Sequence, residues 1–582
     1  MAHTNALSGI MASAGWAVEF VAPLIERPSA FQLLEEASLE FKIPCYFWDF
    51  GSCRFQDISR PHSFVAPDCC GIFNILKYLC ITDTPGIFVI ENMQELMQIR
   101  SISDFNSEER QLQLSAIVAN LYFKFAASGG SNFLVLLSTN GLRVDDYLKG
   151  LVPSVFLPLP DREHLVESAS RLSAEFGLEP ADSEQLISAM SGLFLKEIAR
   201  GVTLWQQGYY GKSSDISSSL RQYKIGKFRE LGLTFKEPSI LGEFGGLDLL
   251  RNALEDVRFQ FSGMARSFSI PLPKGWLLVG PPGTGKTFAA SVCSSKLGVP
   301  LVSVDVGALI AGGAAYLSCV LQRVEAIGAS VLYFDELDKL FSSNSSSLSG
   351  ESGNSIQILG QLLSWLQDKT GHTFVIATLN RLAALPPELT RSGRFDAIFY
   401  VGFPQACERK QIVELHAARF DNRYKNTSES PLSDRSWQIL LNMTNNFVGA
   451  ELARMVEAAA QKKAREIANI LSGKNSEFSL WNKTDREQIQ ELRCLVNLPE
   501  SDLLVLPLSI ESKTLHGIVR LELNDFLEER KKITPLFVRD TDRILAMENS
   551  SRYVSVPASS PDTSLFAPIL STFWGEEVSS KS

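Results

Sequence analysis

The stretch "WLLVGPPGTGKTFAAS" (276–291) decides the architecture, because it joins three local signals in one order. An apolar run, "GWLLV" (275–279), leads into a Gly-rich turn, and the helix-forming run "TFAASVCSSKLG" (287–298) leads out. The turn fits G-x-x-x-x-G-K-[ST]. Gly280, Gly283 and Gly285, with Pro281, Pro282 and Thr284 between them, let the backbone curl so that several N–H groups point at one anion. The N-terminus of the following helix adds its partial positive charge. Lys286 can then reach the β- and γ-phosphates of ATP, and the Thr287 hydroxyl can bind Mg²⁺. A Gly-rich turn with an incidental Lys would lack both flanks.

Two carboxylates close the next informative stretch, "SVLYFDELDKL" (330–340). Asp335 is expected to hold Mg²⁺ through its water shell and Glu336 to polarise the water that attacks the γ-phosphate. Taken alone, the pair would read as an acidic helix start favoured by the dipole; the upstream phosphate loop argues for the catalytic reading. Asn380, ending "TFVIATLN" (373–380), could orient that water. "LTRSGRFD" (389–396) sets Arg391 and Arg394 on a turn, either as a solvated pair or as guanidinium groups serving a neighbouring subunit's phosphates. The second reading predicts a homo-oligomer.

The chain repeats itself. "IPCYFWDFG" (43–51) matches "VPLVSVDVG" (299–307), and further pairs follow in the same order. "GIFVIENM" (86–93) matches "SVLYFDEL" (330–337), "NFLVLLSTN" (132–140) matches "HTFVIATLN" (372–380), and "VFLPLP" (155–160) matches "FYVGFP" (399–404). Each is a short apolar, β-branched run closed by a polar residue or turn, as expected of a fully buried parallel strand. Downstream, "LKEIAR" (195–200) matches "GAELAR" (449–454) in helical stretches. The fold class is therefore α/β: two tandem P-loop-type units, the first degenerate, each followed by a small helical lid. The expected boundaries are 1–160 for the first unit, 161–236 for its lid and linker, 237–405 for the second unit, 406–540 for its lid with an insertion near 473–515, and 541–582 for a flexible Ser-rich tail. The segment 342–355, "SSNSSSLSGESGNS", reads as a mobile loop.

Bulk properties narrow the partners. The 582 residues exceed one core, and the net charge of −10 disfavours a nucleic-acid partner, whose affinity draws on clustered Lys and Arg. Nine cysteines without a Cys-x-x-Cys pair suggest a reducing compartment and no zinc ribbon. No basic start marks the N-terminus as a secretory signal, and no apolar run approaches membrane-spanning length, so no membrane partner is expected.

Residues 237–470 resemble an AAA ATPase module of the lineage with Gly-Ala in place of the second sensor arginine, carrying "GPPGTGKT", "YFDELD", "ATLNR", "TRSGRFD" and "FVGAEL" in family order. The resemblance implies that Phe244, Gly245 and His416 line an adenine pocket closed by Gly449. More narrowly, about residues 15–470 and 521–536 resemble the uncharacterised plastid and cyanobacterial AAA ATPases of the hypothetical chloroplast reading frame forty-six family, which implies a cytoplasmic or plastid-stromal location. AAA unfoldases usually carry an aromatic residue on the loop after the second strand; "GALIAGGAAYLSCV" (307–320) lacks it, and Tyr316 is expected on the following helix.

Read against the matched blocks, the first half places Ala30 at the lysine position, Asn92 at the catalytic glutamate, and Tyr147 and Gly150 at the arginines, with Asn140 alone retained. The expected function is ATP hydrolysis at the second-half site, coupled to remodelling of protein substrates or adaptors by a ring or hexamer, with the first half as a non-catalytic platform. The alternative is a nucleotide-controlled scaffold that threads no substrate. A clamp-loader-like role on DNA is disfavoured by the acidic balance.

Overall fold

The computed structural model describes residues 6–567 except 14, 60–70, 94–104, 130, 140–147, 149, 178–181, 212–214, 238–244, 343–350, 382–388, 390–393, 426–429 and 472–518. The chain divides into two compact units. Unit 1 comprises Met1–Phe235 with Gly307–Ser330 and Leu348–Ser364; unit 2 comprises Lys236–Val306, Val331–Ser347 and Trp365–Ser582.

In unit 1 the strands are β1 (Ala17–Val21), β2 (Cys45–Trp48), β3 (Gln56–Asp57), β4 (Gly86–Glu91), β5 (Asn132–Ser138) and β6 (Ser154–Phe156), ordered β3-β2-β4-β5-β1-β6. All neighbours run parallel except β3, which lies antiparallel on β2. Every residue of β1, β2, β4 and β5 is buried, which explains why their sequences run continuously apolar instead of alternating. Phe88, Leu134 and Leu136 face one core with the helices Ile72–Ile81 and Phe105–Ala127; Val18, Phe20 and Val89 face another with the helix Arg27–Phe41.

A short strand, β7 (Leu233–Lys236), straddles the division between the units. In unit 2, β8 (Gly275–Val279), β9 (Leu301–Val304), β10 (Ser330–Phe334), β11 (Thr373–Leu379), β12 (Ala397–Tyr400) and β13 (Val556–Pro557) run in the order β13-β12-β8-β11-β10-β9. With β3 and β13 set aside, the five strands from β1 to β6 and the five from β8 to β12 follow the same spatial order, with the fifth strand at one side, then first, fourth, third and second. The strands anticipated from the repeat thus occupy matching places in two sheets. Trp276 fixes the β8 face by packing edge-on against Phe374 and Phe399, at 5.1 Å each, contacts worth about 0.5–1.5 kcal/mol apiece beyond area burial. A helical lid around Trp437, Phe447 and Phe526 follows.

The lid of the first half closes on the helix Leu195–Gln206. Arg323, from the helix Val306–Ile327, is buried there in unit 1: its guanidinium donates to both Glu197 carboxylate oxygens at 3.1 Å and to the Gly192 carbonyl at 3.0 Å, and stacks over Phe194. Fork-to-carboxylate pairing of this kind satisfies both charges without water.

Three expectations are corrected. The tail is ordered over much of its length: Thr541–Ser551 is helical, and β13 pairs in parallel with β12, because Ser hydroxyls and backbone groups supply bonds that apolar patterning does not reveal. Of the expected loop at 342–355, residues 343–350 lie outside the described residues, but Glu351 onward begins the helix Glu351–Asp368. Among the described residues one helix, Val306–Ile327, is long and apolar enough by length and composition to cross a membrane; Gly and Ser interruptions hide that length in sequence. It is kinked at Gly313 (φ 68°), and its Leu309, Leu317, Val320 and Val324 are buried in protein, as in a core helix. The insertion near 473–515 lies wholly outside the described residues.

Candidate nucleotide site

The Gly-rich turn links β8 to the helix Lys286–Leu297, and two of its glycines are required by geometry. A Cβ on Gly280 would lie 2.1 Å from the Val401 carbonyl oxygen, and Gly285 has φ 98°, a conformation that side chains disfavour. The loop therefore stands between β12 and the lid, where the Ala450 N–H donates to the Gly283 carbonyl at 3.1 Å.

Lys286 is the first residue of its helix and is buried, with Nζ donating to the carbonyls of Gly280 (2.7 Å) and Pro281 (2.8 Å). Burial pulls the ammonium down to about 8, against the opposing pull of Asp335, Asp338 and Glu336. Asp335 directly follows β10, with Oδ1 accepting from the hydroxyls of Tyr333 (2.8 Å) and Thr378 (2.7 Å), and the Tyr333 hydroxyl also lies 3.1 Å from Thr287 Oγ1. One phenol thus ties the two expected Mg²⁺ holders together. Glu336 has a left-handed backbone (φ 51°), costly for a non-glycine residue and held here by its N–H donating to Thr378 Oγ1 at 2.9 Å. Its Oε1 accepts from Asn380 Nδ2 at 2.7 Å, and its Oε2 pairs with Lys339 at 2.5 Å.

Gly245, Pro282, Gly283, Thr284, Gly285, Lys286, Thr287, Asp335, Glu336, Asn380, His416 and Gly449 all line one cavity of about 780 Å³. Gly280 and Pro281 stand behind it as acceptors for Lys286. Phe244 and Arg391 lie outside the described residues; Arg394 sits on the turn before β12 and is not among the cavity-lining residues. The residues present fit ATP with Mg²⁺. Among the described residues the Lys286 ammonium bonds two carbonyls and no carboxylate, a hydroxyl and a carboxylate share one phenol, and the buried His416 Nδ1 finds no hydrogen-bond partner. Burial lowers the His416 pKa, which favours a neutral ring on this wall.

Sequence reasoning missed Tyr333 and Thr378, whose hydroxyls set the carboxylates, although both stand in the quoted strands. It also missed Phe537, Pro557, Ala558 and Ser559 in the cavity wall.

In the first half the corresponding turn, between β1 and the helix Arg27–Phe41, is filled. The first helical residue is Arg27, whose guanidinium meets Glu91, the last residue of β4, at 2.5 Å and Asp49 at 3.6 Å. This corrects the placing of Ala30 at the lysine position: relative to the offset that aligns β2 with β9, β1 ends two residues early and the turn after it is one residue shorter, so the helix opens at Arg27 and Ala30 is a core residue. Glu26, itself buried, accepts the Lys196 and Glu197 N–H groups at the start of the lid helix at 2.7 and 3.3 Å. Burial raises the Glu91 pKa, opposed by Arg27. The space left there is about 10 Å³. Asn92 keeps the left-handed backbone (φ 61°) of its counterpart Glu336. Asn140 and Tyr147 lie outside the described residues, and Gly150 precedes β6.

Residues 276–403 match the family model of the ATPase family associated with various cellular activities, AAA. The uncharacterized AAA domain-containing protein ycf46 of Trieres chinensis is 29% identical over 431 residues, covering 72% of this chain and 80% of that protein. Its namesake in Pyropia yezoensis is 28% identical over 69% of this chain and 82% of its own. The ATP-dependent zinc metalloprotease FtsH 4 of Sphaerobacter thermophilus is 35% identical, but over only 34% of this chain and 30% of that protein. Among solved structures, the FIGL-1 AAA domain aligns over 57% of this chain and 96% of its own at 19% identity, with a TM-score of 0.40. The chain therefore carries an AAA domain and is homologous, over most of its length, to the ycf46 AAA domain-containing proteins.

Proposed function

We propose that the protein hydrolyses ATP at the second-half site and uses the cycle to remodel or regulate protein partners, with the first half as a platform that binds no nucleotide. One observation carries this: phosphate-loop, metal-holding and water-activating groups converge on a single cavity, while the equivalent place in the first half is occupied by the chain's own Arg27–Glu91 pair.

The steps follow from the bonds. The triphosphate enters between the loop N–H groups and Lys286, whose ammonium exchanges carbonyl acceptors for phosphate oxygens. Thr287 and Asp335 would hold Mg²⁺, which neutralises charge on the β- and γ-phosphates. Glu336 takes the proton of the attacking water, and the Asn380 amide, bonded to Oε1, fixes the carboxylate's direction. Arg391 and Arg394 serve a neighbouring copy's phosphates, so the working form is a homo-oligomer, a ring or hexamer, in the cytoplasm or a plastid stroma.

A second reading, a nucleotide-timed scaffold without threading, is favoured by one feature. The segment after β9 is the kinked helix Val306–Ile327, and its Tyr316 hydroxyl donates to the Leu231 carbonyl at 2.5 Å instead of presenting an aromatic ring on a loop.

Glu336→Gln tests the chemistry. It should bind ATP with wild-type affinity and hydrolyse it more slowly by about 10²-fold or more. Loss of affinity together with rate would make Glu336 a binding residue. Casein stimulation of the wild-type rate supports remodelling; a rate indifferent to casein supports the scaffold.

A further inference from the structure

The nucleotide cavity has a wall that the phosphate-loop logic does not require. Pro557, Ala558 and Ser559 line it, although they lie far from the loop in sequence. They belong to a strap that starts as β13 on the edge of β12 and continues through Asp562.

The strap is held at several points, on Tyr400, on the helix Ala406–Ala417 and on the start of the helix Asp248–Gln260. The Ala558 N–H donates to the Tyr400 carbonyl at 3.0 Å, and the Ala558 carbonyl accepts from the Leu250 N–H at 3.1 Å. The Ser559 hydroxyl donates to Glu408 Oε1 at 2.5 Å, the same oxygen that accepts the Leu247 N–H at 2.9 Å. Ser560 donates from its N–H (2.8 Å) and its hydroxyl (2.6 Å) to the two Asp248 oxygens. Beyond it, Asp562 accepts the Cys407 N–H at 3.1 Å, at the start of the helix Ala406–Ala417 that carries His416.

These bonds converge on the turn Gly245–Asp248. Gly246 has φ 84°, and a Cβ there would fall 2.1 Å from the Glu408 carboxylate, so turn and carboxylate are in direct contact. Glu408 is thus shared: one side chain fixes the turn through Leu247 and the strap through Ser559. If the strap lets go, Glu408 loses a partner, Asp248 loses two, and the turn that carries Gly245 loses its backing.

We propose that the strap Val556–Asp562 is part of the nucleotide site, a clasp that fixes the wall around the base and ribose and so sets how tightly ATP and ADP are held, without acting in hydrolysis. This rests on the nucleotide reading given above. A wall that contacts substrate and product alike contributes uniform binding, so its loss raises Kd and KM and leaves kcat in place.

The test uses the full chain. In the Ser559→Ala/Ser560→Ala variant, and in Ala558→Pro, which removes the N–H given to Tyr400, the Kd of a fluorescent ADP analogue should rise about tenfold, a change equal to about 1.4 kcal/mol. The kcat for ATP should stay within about twofold, since no group near the γ-phosphate is altered. Independently of any variant, ADP should slow deuterium uptake at residues 556–562 of the wild type. Unchanged uptake on ADP binding, unchanged Kd in folded variants, or a fall in kcat at constant KM would each overturn the proposal. If the wild type binds no ADP, the nucleotide reading falls and the clasp with it. If it binds and hydrolyses while the strap is indifferent, only the clasp falls.

Discussion

Lys286 and Arg27 each open the helix that follows the first of five strands laid out in the same order, yet their surroundings are opposite. Lys286 is buried with its Nζ bonded to two carbonyl oxygens, and the carboxylates of Asp335, Asp338 and Glu336 act on it only through space, which leaves its donors open to exchange for the phosphate oxygens of the proposed nucleotide. Arg27 has its carboxylates in place, Glu91 and Asp49. The lid helices repeat the contrast. In the second half the helix start reaches the loop by backbone alone, Ala450 to Gly283; in the first, the Glu26 carboxylate sits on the N–H groups of Lys196 and Glu197. A helix N-terminus favours an anion, and the first half supplies one from its own chain. In the reading proposed above, internal charge satisfaction in the first half stands where the second half would take a phosphate, in sheets whose matching strands share one order.

The largest effects should break or confirm that contrast outright. Lys286→Ala should abolish ATP binding by the whole chain, measured by equilibrium dialysis; residual binding at one site per chain would mean that the first half still takes nucleotide. Arg27→Ala should leave ATP binding intact while destabilising unit 1 by about 1–3 kcal/mol, because Glu91 is left buried without its donor; thermal melting reads this.

Next in size is the asymmetry of the arginines. Arg391→Ala should slow hydrolysis by about 10³–10⁵ with nucleotide affinity largely kept, and mixing it with Glu336→Gln chains should restore part of the rate. Mixed chains that co-assemble and stay inactive would reduce the arginines to an ordinary surface pair.

The smallest effect is on pH. The free protein gives up the Lys286 proton as pH rises through about 8, whereas bound phosphates hold it, so binding takes up a proton there. ATP affinity should be full below about pH 8 and fall by up to about tenfold per pH unit above it. Calorimetric titrations in buffers of different ionisation enthalpy would detect the uptake; flat affinity to pH 9.5 would show that Lys286 is not what the phosphates meet.

Much of this was legible in the chain. Buried parallel strands write themselves as apolar runs, so four strands of each sheet were read from the repeat, while β1 was not; the Gly-rich turn, Asp335, Glu336 and Asn380, expected from motif and strand ends, line one cavity. The slip of three residues at Arg27 came from a first strand that ends early and a turn one residue shorter, which the offset read from the next strand cannot follow. Tyr333 and Thr378 sit inside apolar strands, where a hydroxyl looks like tolerated core until its partner across the sheet is known. The strap was invisible for a different reason: serines carry no periodic signal, and their meaning lies in Asp248 and Glu408, distant in sequence.

That distance has a consequence in time. Asp248 and Ser560 are separated by 312 residues, which at roughly 5–20 residues per second takes a ribosome about 15–60 seconds to traverse. For most of that interval, once Thr287 is made, a growing chain holds the Gly-rich turn with one wall of the cavity still unmade. If the clasp sets affinity, a nascent chain retains nucleotide poorly, and the ATP cycle starts only once synthesis has passed the strap.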